Sequence, residues 1–188
     1  AIERIPVLGS SGIKIFFNGP ESFTPDDRYL LGPDPKVPNF FVAAGFNSIG
    51  IQSAGGAGKV LAEWIINDQP PMDLWDVDIR RMMPFQINQK YLHDRTVEAL
   101  GLLYAMHWPF RQPESARGVR TSPLHLRLKE RGACFGETAG WERANWFAPA
   151  GVSPRYEYSY GRQNWFEHSA AEHLAVRENV GFFDMTSF

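Results

Sequence analysis

The stretch GFNSIGIQSAGGAG at 45–58 carries five glycines, Gly45, Gly50, Gly55, Gly56 and Gly58, between an apolar run and an apolar helical stripe. A missing Cβ permits positive φ or close approach of a flat ligand or another backbone, so the chain is tightly constrained here. The preceding FFVAAG at 40–45 has the length and composition of a buried parallel strand, although periodicity alone does not separate that from a buried helical fragment. Residues 56–66 read as a helix with Val60, Leu61, Trp64 and Ile65 on one face, stopped by Asn67-Asp68 and Pro70-Pro71. Strand, glycine loop and helix form an α/β unit in which a ligand approaches the helix start, where unpaired N–H groups and the dipole point outward. Tight helix–sheet packing explains the same glycines. Their order is neither GxGxxG nor a phosphate loop, and Lys59 reads as a solvated helix residue.

Composition narrows the function classes. With 44% hydrophobic and 21% charged residues, a chain of 188 residues belongs with ordinary globular proteins of one or two domains. A net charge of -2 supplies no general attraction for a phosphate backbone, so no nucleic-acid partner is expected. Cys134, the single cysteine, permits neither an intrachain disulfide nor a thiolate-rich zinc site and reads as a buried structural residue. The five histidines show no HExxH spacing, so no metal is expected. No cationic leader precedes an apolar core and no run approaches the roughly 18 apolar residues of a membrane span. A cytoplasmic location is expected, with the mitochondrial matrix as the alternative.

The remaining elements are read from breakers and caps. IKIFF at 13–17 is a β-prone run ended by Asn18-Gly19-Pro20, and Asp26-Asp27-Arg28 occupy a turn that serves as an Asx turn or orients a polar ligand. NQKYLHDRTVEALGLLYAM at 88–106 predicts one amphipathic helix with Leu92, Val97, Leu100 and Leu103 toward a core, ended by His107-Trp108-Pro109. Residues 111–123 form the best linker. Residues 124–131 predict a helix with Ser122 as N-cap, Pro123 at the first position and Gly132 beyond its end. Arg117, Arg120, Arg127, Lys129 and Arg131 make a basic stretch suited to a solvated surface or interdomain salt bridges, and Trp141, Trp146, Phe147, Trp165 and Phe166 read as core and interface anchors. RYEYSY at 155–160 has strand-like alternation. Ser169 and Glu172 predict a capping box for a helix over 170–179, stopped by Gly181, and GFFDMTSF at 181–188 reads as leading into a core strand. Both ends suggest a piece of a longer chain.

The segments NGPESFTPDDRYLLG at 18–32, FFVAAGFNSIGIQSAGGAGKVLAEWI at 40–65 and DLWDVDIRR at 73–81 resemble the FAD-dependent dimethylglycine and sarcosine dehydrogenase or oxidase family. RGVRTSPLHLRLKERGACFGETAGWERANWFAP, YGRQNWFEHSAAEH and NVGFFDMTSF extend the resemblance over essentially the whole chain in family order.

The resemblance implies an α+β chain. Residues 1–70 would end an FAD-binding, D-amino-acid-oxidase-like domain, 71–130 would form a small central connector, and 131–188 would begin a tetrahydrofolate-binding, aminomethyltransferase-like domain. The implied activity of the parent is oxidative N-demethylation of sarcosine or dimethylglycine, with hydride passing to FAD and one carbon to folate or formaldehyde. An electron-transfer flavoprotein is a possible partner. A noncatalytic regulatory subunit of a dehydrogenase phosphatase is the alternative, and the isolated piece is expected to be inactive. By the same resemblance Gly45, Phe46, Asn47, Ser48 and Gly50 would pass close to the isoalloxazine ring, and Gly55, Gly56 and Gly58 would start a helix aimed at its pyrimidine edge. No catalytic base is evident, and Arg28 is only a weak carboxylate clamp.

Overall fold

Gly32 sets the first packing contact. Its φ is +118°, and a Cβ there would stand 2.9 Å from Cη2 of Trp64, so an indole ring takes the space a side chain would need. The computed structural model describes residues 1–187. In it β1 (Leu30–Pro33) pairs antiparallel with β2 (Phe41–Ala44), Leu30 opposite Ala44 and Pro33 opposite Phe41. Helix α1 (Gly50–Asn67) buries Ala57 and Trp64 and ends at Asp68, whose φ of +55° is left-handed.

Three expectations change here. FFVAAG is a strand, but antiparallel and half-exposed, because a short link through Asp34 and Phe40 closes it onto β1. The helix starts at Gly50 rather than Gly56. Each mid-helix glycine costs about 1 kcal/mol against alanine, and the fold meets that cost by burying Ala57 and Trp64 on the far face. IKIFF forms no strand: among the described residues no strand lies beside it, and Phe16 and Phe17 are exposed.

The DLWDVDIRR segment is fastened against β1 and the turn before it. Leu31 donates its N–H to Val77 O at 2.8 Å, and buried Asp78 accepts from the backbone and guanidinium of Arg80 in a short 3-10 turn over 79–81. Arg81 reaches back to the Asp26 carboxylate at 2.7 Å and to Arg28 O. Arg28 itself pairs with Asp76 on the surface.

Helix α2 (Gln89–Leu102) is capped by Asn88, which accepts the Tyr91 N–H at 3.1 Å. It ends before the expected stop and turns a different face inward. Tyr91 and Arg95 are buried, whereas Leu92, Val97 and Leu100 are exposed. The reason is polar: Arg95 donates to Glu137 at 2.7 Å and to Ser115 O at 2.7 Å. Glu98, on the same face, accepts the N–H groups of Glu114 and Ser115, both at 2.8 Å. The 111–118 segment is thus strapped down rather than a free linker.

Helix α3 (His125–Glu130) starts later than expected: Leu124, not Ser122, is its N-cap and makes no side-chain cap bond, while Ser122 Oγ accepts the Leu124 N–H in the turn before the helix, and Gly132 at φ +84° lies beyond its end. Strands β3 (Ala133–Thr138) and β4 (Trp141–Phe147) then form an antiparallel hairpin that the aromatic composition concealed. Its two-residue turn places Ala139 at φ +48° and Gly140 at φ +81°, the sign pattern of a type I′ turn. Cys134, Trp146 and Ala148 form the buried cluster, with Tyr156 and Trp165 packed against it.

Helix α4 (Phe166–Glu178) begins before Ser169, so the expected capping box does not form. Glu172 instead accepts the Phe147 N–H at 2.8 Å and ties the helix to β4. RYEYSY is irregular; Tyr156 stacks on Tyr158, whose hydroxyl accepts the Gln112 N–H. Residues 181–187 form no strand and expose Phe182 and Phe183, while Phe188 lies outside the described residues. The expected mixed α+β architecture is present.

Candidate functional site

Three of the four residues from 45 to 48 have left-handed backbone: Gly45 at φ +65°, Asn47 at +48° and Ser48 at +61°. Such conformations persist in non-glycine residues only when neighbours hold them. Asn47, fully buried, is held on every side. Its Oδ1 accepts the Thr24 N–H at 2.7 Å, and its Nδ2 donates to Thr24 Oγ1 at 3.0 Å and to Gly45 O at 2.8 Å. Its own N–H reaches Ser22 O at 3.1 Å. Thr24 also fixes Gly45, where a Cβ would stand 2.7 Å from Cγ2. Phe46 stacks on Tyr29 at 4.9 Å, and Ser48 Oγ donates to the Glu21 carboxylate at 2.6 Å.

The 21–24 strap therefore pins the 45–48 loop, which delivers the chain into α1. Ile49 caps that helix without any side-chain hydrogen bond, and its first turn holds no acidic residue. The Ile49 N–H closes onto Phe46 O, and the Ser53 N–H is the first to find a helical acceptor, Ile49 O. Gly50, Ile51 and Gln52 thus present N–H groups without intrahelical partners. Beside them opens a cleft of about 470 Å³, lined by Pro20, Glu21, Ser22, Ala44, Gly45, Phe46, Asn47, Ser48, Gly50 and Ile51.

The structure brings together Gly45, Phe46, Asn47, Ser48 and Gly50. It separates them from Gly55, Gly56 and Gly58, which lie within α1 rather than at its start and whose added Cβ atoms would meet nothing within 4 Å. Arg28 is engaged with Asp76 outside the cleft lining. His168 stacks on Trp146, and Cys134 is buried with its thiol pushed up to about 11 by desolvation, so neither resembles a reactive group. The resemblance implies that residues 18–26 lie near the flavin, but it does not single out Glu21, Ser22 and Thr24 as partners of the loop. The signal available was ESFT directly before the Pro25 turn.

The cleft chemistry suits the electron-rich end of a flavin ring: backbone donors, a helix N-terminus and small side chains. Glu21 is the one titratable residue in the lining, and its carboxylate is bonded to Ser48. A second cleft of about 490 Å³ lies between Phe85, Tyr91 and Val119 and carries the exposed Lys90–Asp94 pair. Among the described residues no helix is long and apolar enough to cross a membrane.

Residues 67–122 match the FAD dependent oxidoreductase central domain, and 124–188 match the GCVT N-terminal domain. The chain is 54% identical to a 4-methylaminobutanoate oxidase (formaldehyde-forming) of Paenarthrobacter nicotinovorans over 98% of its own length and 22% of that protein. It is 42% identical to the mitochondrial sarcosine dehydrogenase of Homo sapiens over 85% of its length and 18% of that protein. It is 35% identical to the mitochondrial pyruvate dehydrogenase phosphatase regulatory subunit of Mus musculus over its whole length and 22% of that protein. The chain spans about a fifth of the length of these relatives. The expected cytoplasmic location is corrected, since the mammalian sarcosine and dimethylglycine dehydrogenases are named as mitochondrial, which favours the mitochondrial alternative. With both family segments in order, the chain belongs to the FAD-dependent sarcosine and dimethylglycine dehydrogenase-like family of oxidoreductases.

Proposed function

We propose that this chain forms the part of an FAD-dependent amine oxidoreductase that presents backbone donors to the flavin ring during oxidation of an N-methylated amino acid. The observation that carries the reading is the uncapped start of α1 opening onto the cleft beside the 45–48 loop. When bound, FAD supplies the acceptor for a hydride from the substrate's N-methyl carbon, leaving an iminium that water converts to formaldehyde or that passes its one-carbon unit to tetrahydrofolate. The residues of this chain orient and stabilise. The N–H groups of Gly50, Ile51 and Gln52, with the positive end of α1, favour the negative charge that reduction leaves on the ring's pyrimidine side. Gly45, Phe46, Asn47 and Ser48 set where that helix start lies. Gly55 and Gly58, three residues apart, leave one α1 face open to a flat group, and Gly56 leaves an adjacent face open.

Residues 1–70, 71–130 and 131–188 are proposed as the end of the FAD domain, the connector and the beginning of the folate-binding domain. The substrate class is an N-methyl amino acid, with 4-methylaminobutanoate, sarcosine and dimethylglycine as the test compounds, and electron-transfer flavoprotein is the proposed acceptor for the electrons. No general base is assigned within these residues, and the 188-residue chain alone is expected to lack turnover.

A second reading rests on the phosphatase regulatory subunit, which aligns with the whole chain at 35% identity, as the mouse dimethylglycine dehydrogenase does at 36%. On that reading the fold serves regulation without oxidation. Purified full-length protein decides between them. A flavin spectrum with formaldehyde release from one of the three amino acids supports the enzyme; flavin or its absence with no turnover of any of them supports the regulatory reading.

A further inference from the structure

We infer that Asn47 and Thr24 are positioning residues for the flavin, acting through the backbone of the 45–50 loop rather than by touching the ring; the inference rests on the FAD reading above. Asn47 has no accessible surface, and both of its amide atoms are already committed within the protein, Oδ1 to the Thr24 N–H and Nδ2 to Thr24 Oγ1 and Gly45 O. Its side chain has no remaining direction in which to meet a ligand. What it does is hold a strained turn: its own φ is +48° and that of Ser48 is +61°. Thr24 completes the clamp, its hydroxyl also donating to Arg28 O at 2.9 Å and its methyl occupying the space beside Gly45.

The consequence lies at the helix start. Ser48 and Ile49 are the last residues before α1, and the Ile49 N–H closes on Phe46 O at 2.9 Å, so the 46–49 turn is continuous with the first helical residue. Loosening the clamp lets the αL pair relax toward ordinary backbone and turns the donors at 50–52 away from the cleft. A strand or helix pinned at one end by buried hydrogen bonds is the usual way a protein keeps donors preorganised without reorganising at the moment of reaction. Asn suits position 47 because it tolerates αL better than other non-glycine residues and still supplies a donor and an acceptor.

The test uses full-length protein carrying Thr24→Val, Thr24→Ser, Asn47→Gly or Asn47→Ala. The readouts are the dissociation constant of FAD from apoprotein, the midpoint potential of the bound flavin and the thermal unfolding of apoprotein. Asn47→Gly keeps the backbone conformation accessible and removes only the clamp, while Thr24→Val removes the hydroxyl and keeps the shape. Thr24→Val removes two of these hydrogen bonds and Asn47→Gly three, and both are expected to weaken FAD binding about tenfold and to move the potential to more negative values. Thr24→Ser is expected to retain the wild-type constant and potential. Wild-type protein that binds FAD, with Thr24→Val and Asn47→Gly matching it in both constant and potential, overturns the clamp alone. Wild-type protein that binds no FAD overturns the FAD reading and the clamp together.

Discussion

Arg95→Ala should open the junction between α2 and the β3–β4 hairpin. The Arg95 and Glu137 side chains are 8% and 9% exposed, and the guanidinium also satisfies Ser115 O. Removing one partner of such a pair leaves a buried carboxylate and a carbonyl short of donors, at a cost of about 3–5 kcal/mol. Glu137 keeps the Gly140 N–H, which favours the lower end, about 3 kcal/mol, or roughly a hundredfold in a local opening equilibrium. Amide hydrogen exchange of the full-length protein reads this directly in peptides covering 111–118 and 133–147. Their slowest amides should exchange about a hundredfold faster than in wild type, while α1, which packs on β1, serves as the unchanged reference. Exchange within about twofold of wild type in both segments would refute the claim that this ion pair fastens them.

Other consequences are quicker to check. Burial pushes the Glu142 carboxyl up, but the Arg117 guanidinium and the Gly118 N–H outweigh it and hold it below the usual range; Glu98 is likewise pulled down by Ser115 and Glu114 against its burial. Depressed carboxylates stabilise the fold above their unfolded value of about 4.3 and lose that contribution as pH falls toward the lower folded value. Unfolding temperature should thus be flat near neutrality and fall below about pH 4, with Glu142→Gln flattening the fall; an unchanged slope in that variant argues against Glu142 as a source. Cys134 should resist alkylation by iodoacetamide at pH 8 in the native state and react once the protein is unfolded; rapid native labelling would contradict its burial. Gly132→Ala would place a Cβ 2.4 Å from Ala148 O at φ +84°, and a loss of roughly 1–3 kcal/mol in stability is expected. A Cβ added at Gly56 meets nothing within 4 Å beyond its own helical turn, so a drop in FAD occupancy in Gly56→Ala would report ligand contact at that position, and unchanged flavin content would remove Gly56 from the site.

Local punctuation was legible where its chemistry acts within a few residues. Asp68 and the two prolines end α1, Gly132 lies just past the end of α3, and residues 45–49 form a loop that feeds a helix, as their glycines suggested. What escaped depends on partners distant in sequence. The inward face of α2 followed Glu137 and Ser115 rather than the leucines, because a buried guanidinium demands its acceptors more strongly than a half-buried leucine demands cover. The β3–β4 hairpin turns through Ala139-Gly140, which lacks the Asn-Gly signature of a type I′ turn. Ser169 and Glu172 matched a capping box, yet Glu172 was drawn to the Phe147 N–H on β4. At the candidate site the loop was visible and its clamp was not, since Thr24 and Asn47 are separated by 23 positions.

The most direct test of the central claim is anaerobic addition of 4-methylaminobutanoate, sarcosine or dimethylglycine to the full-length protein while its absorption spectrum is recorded. Bound flavin that bleaches with one of them, with formaldehyde released in proportion, is the predicted result. A full-length protein with no flavin, or with flavin that none of the three reduces, would contradict it.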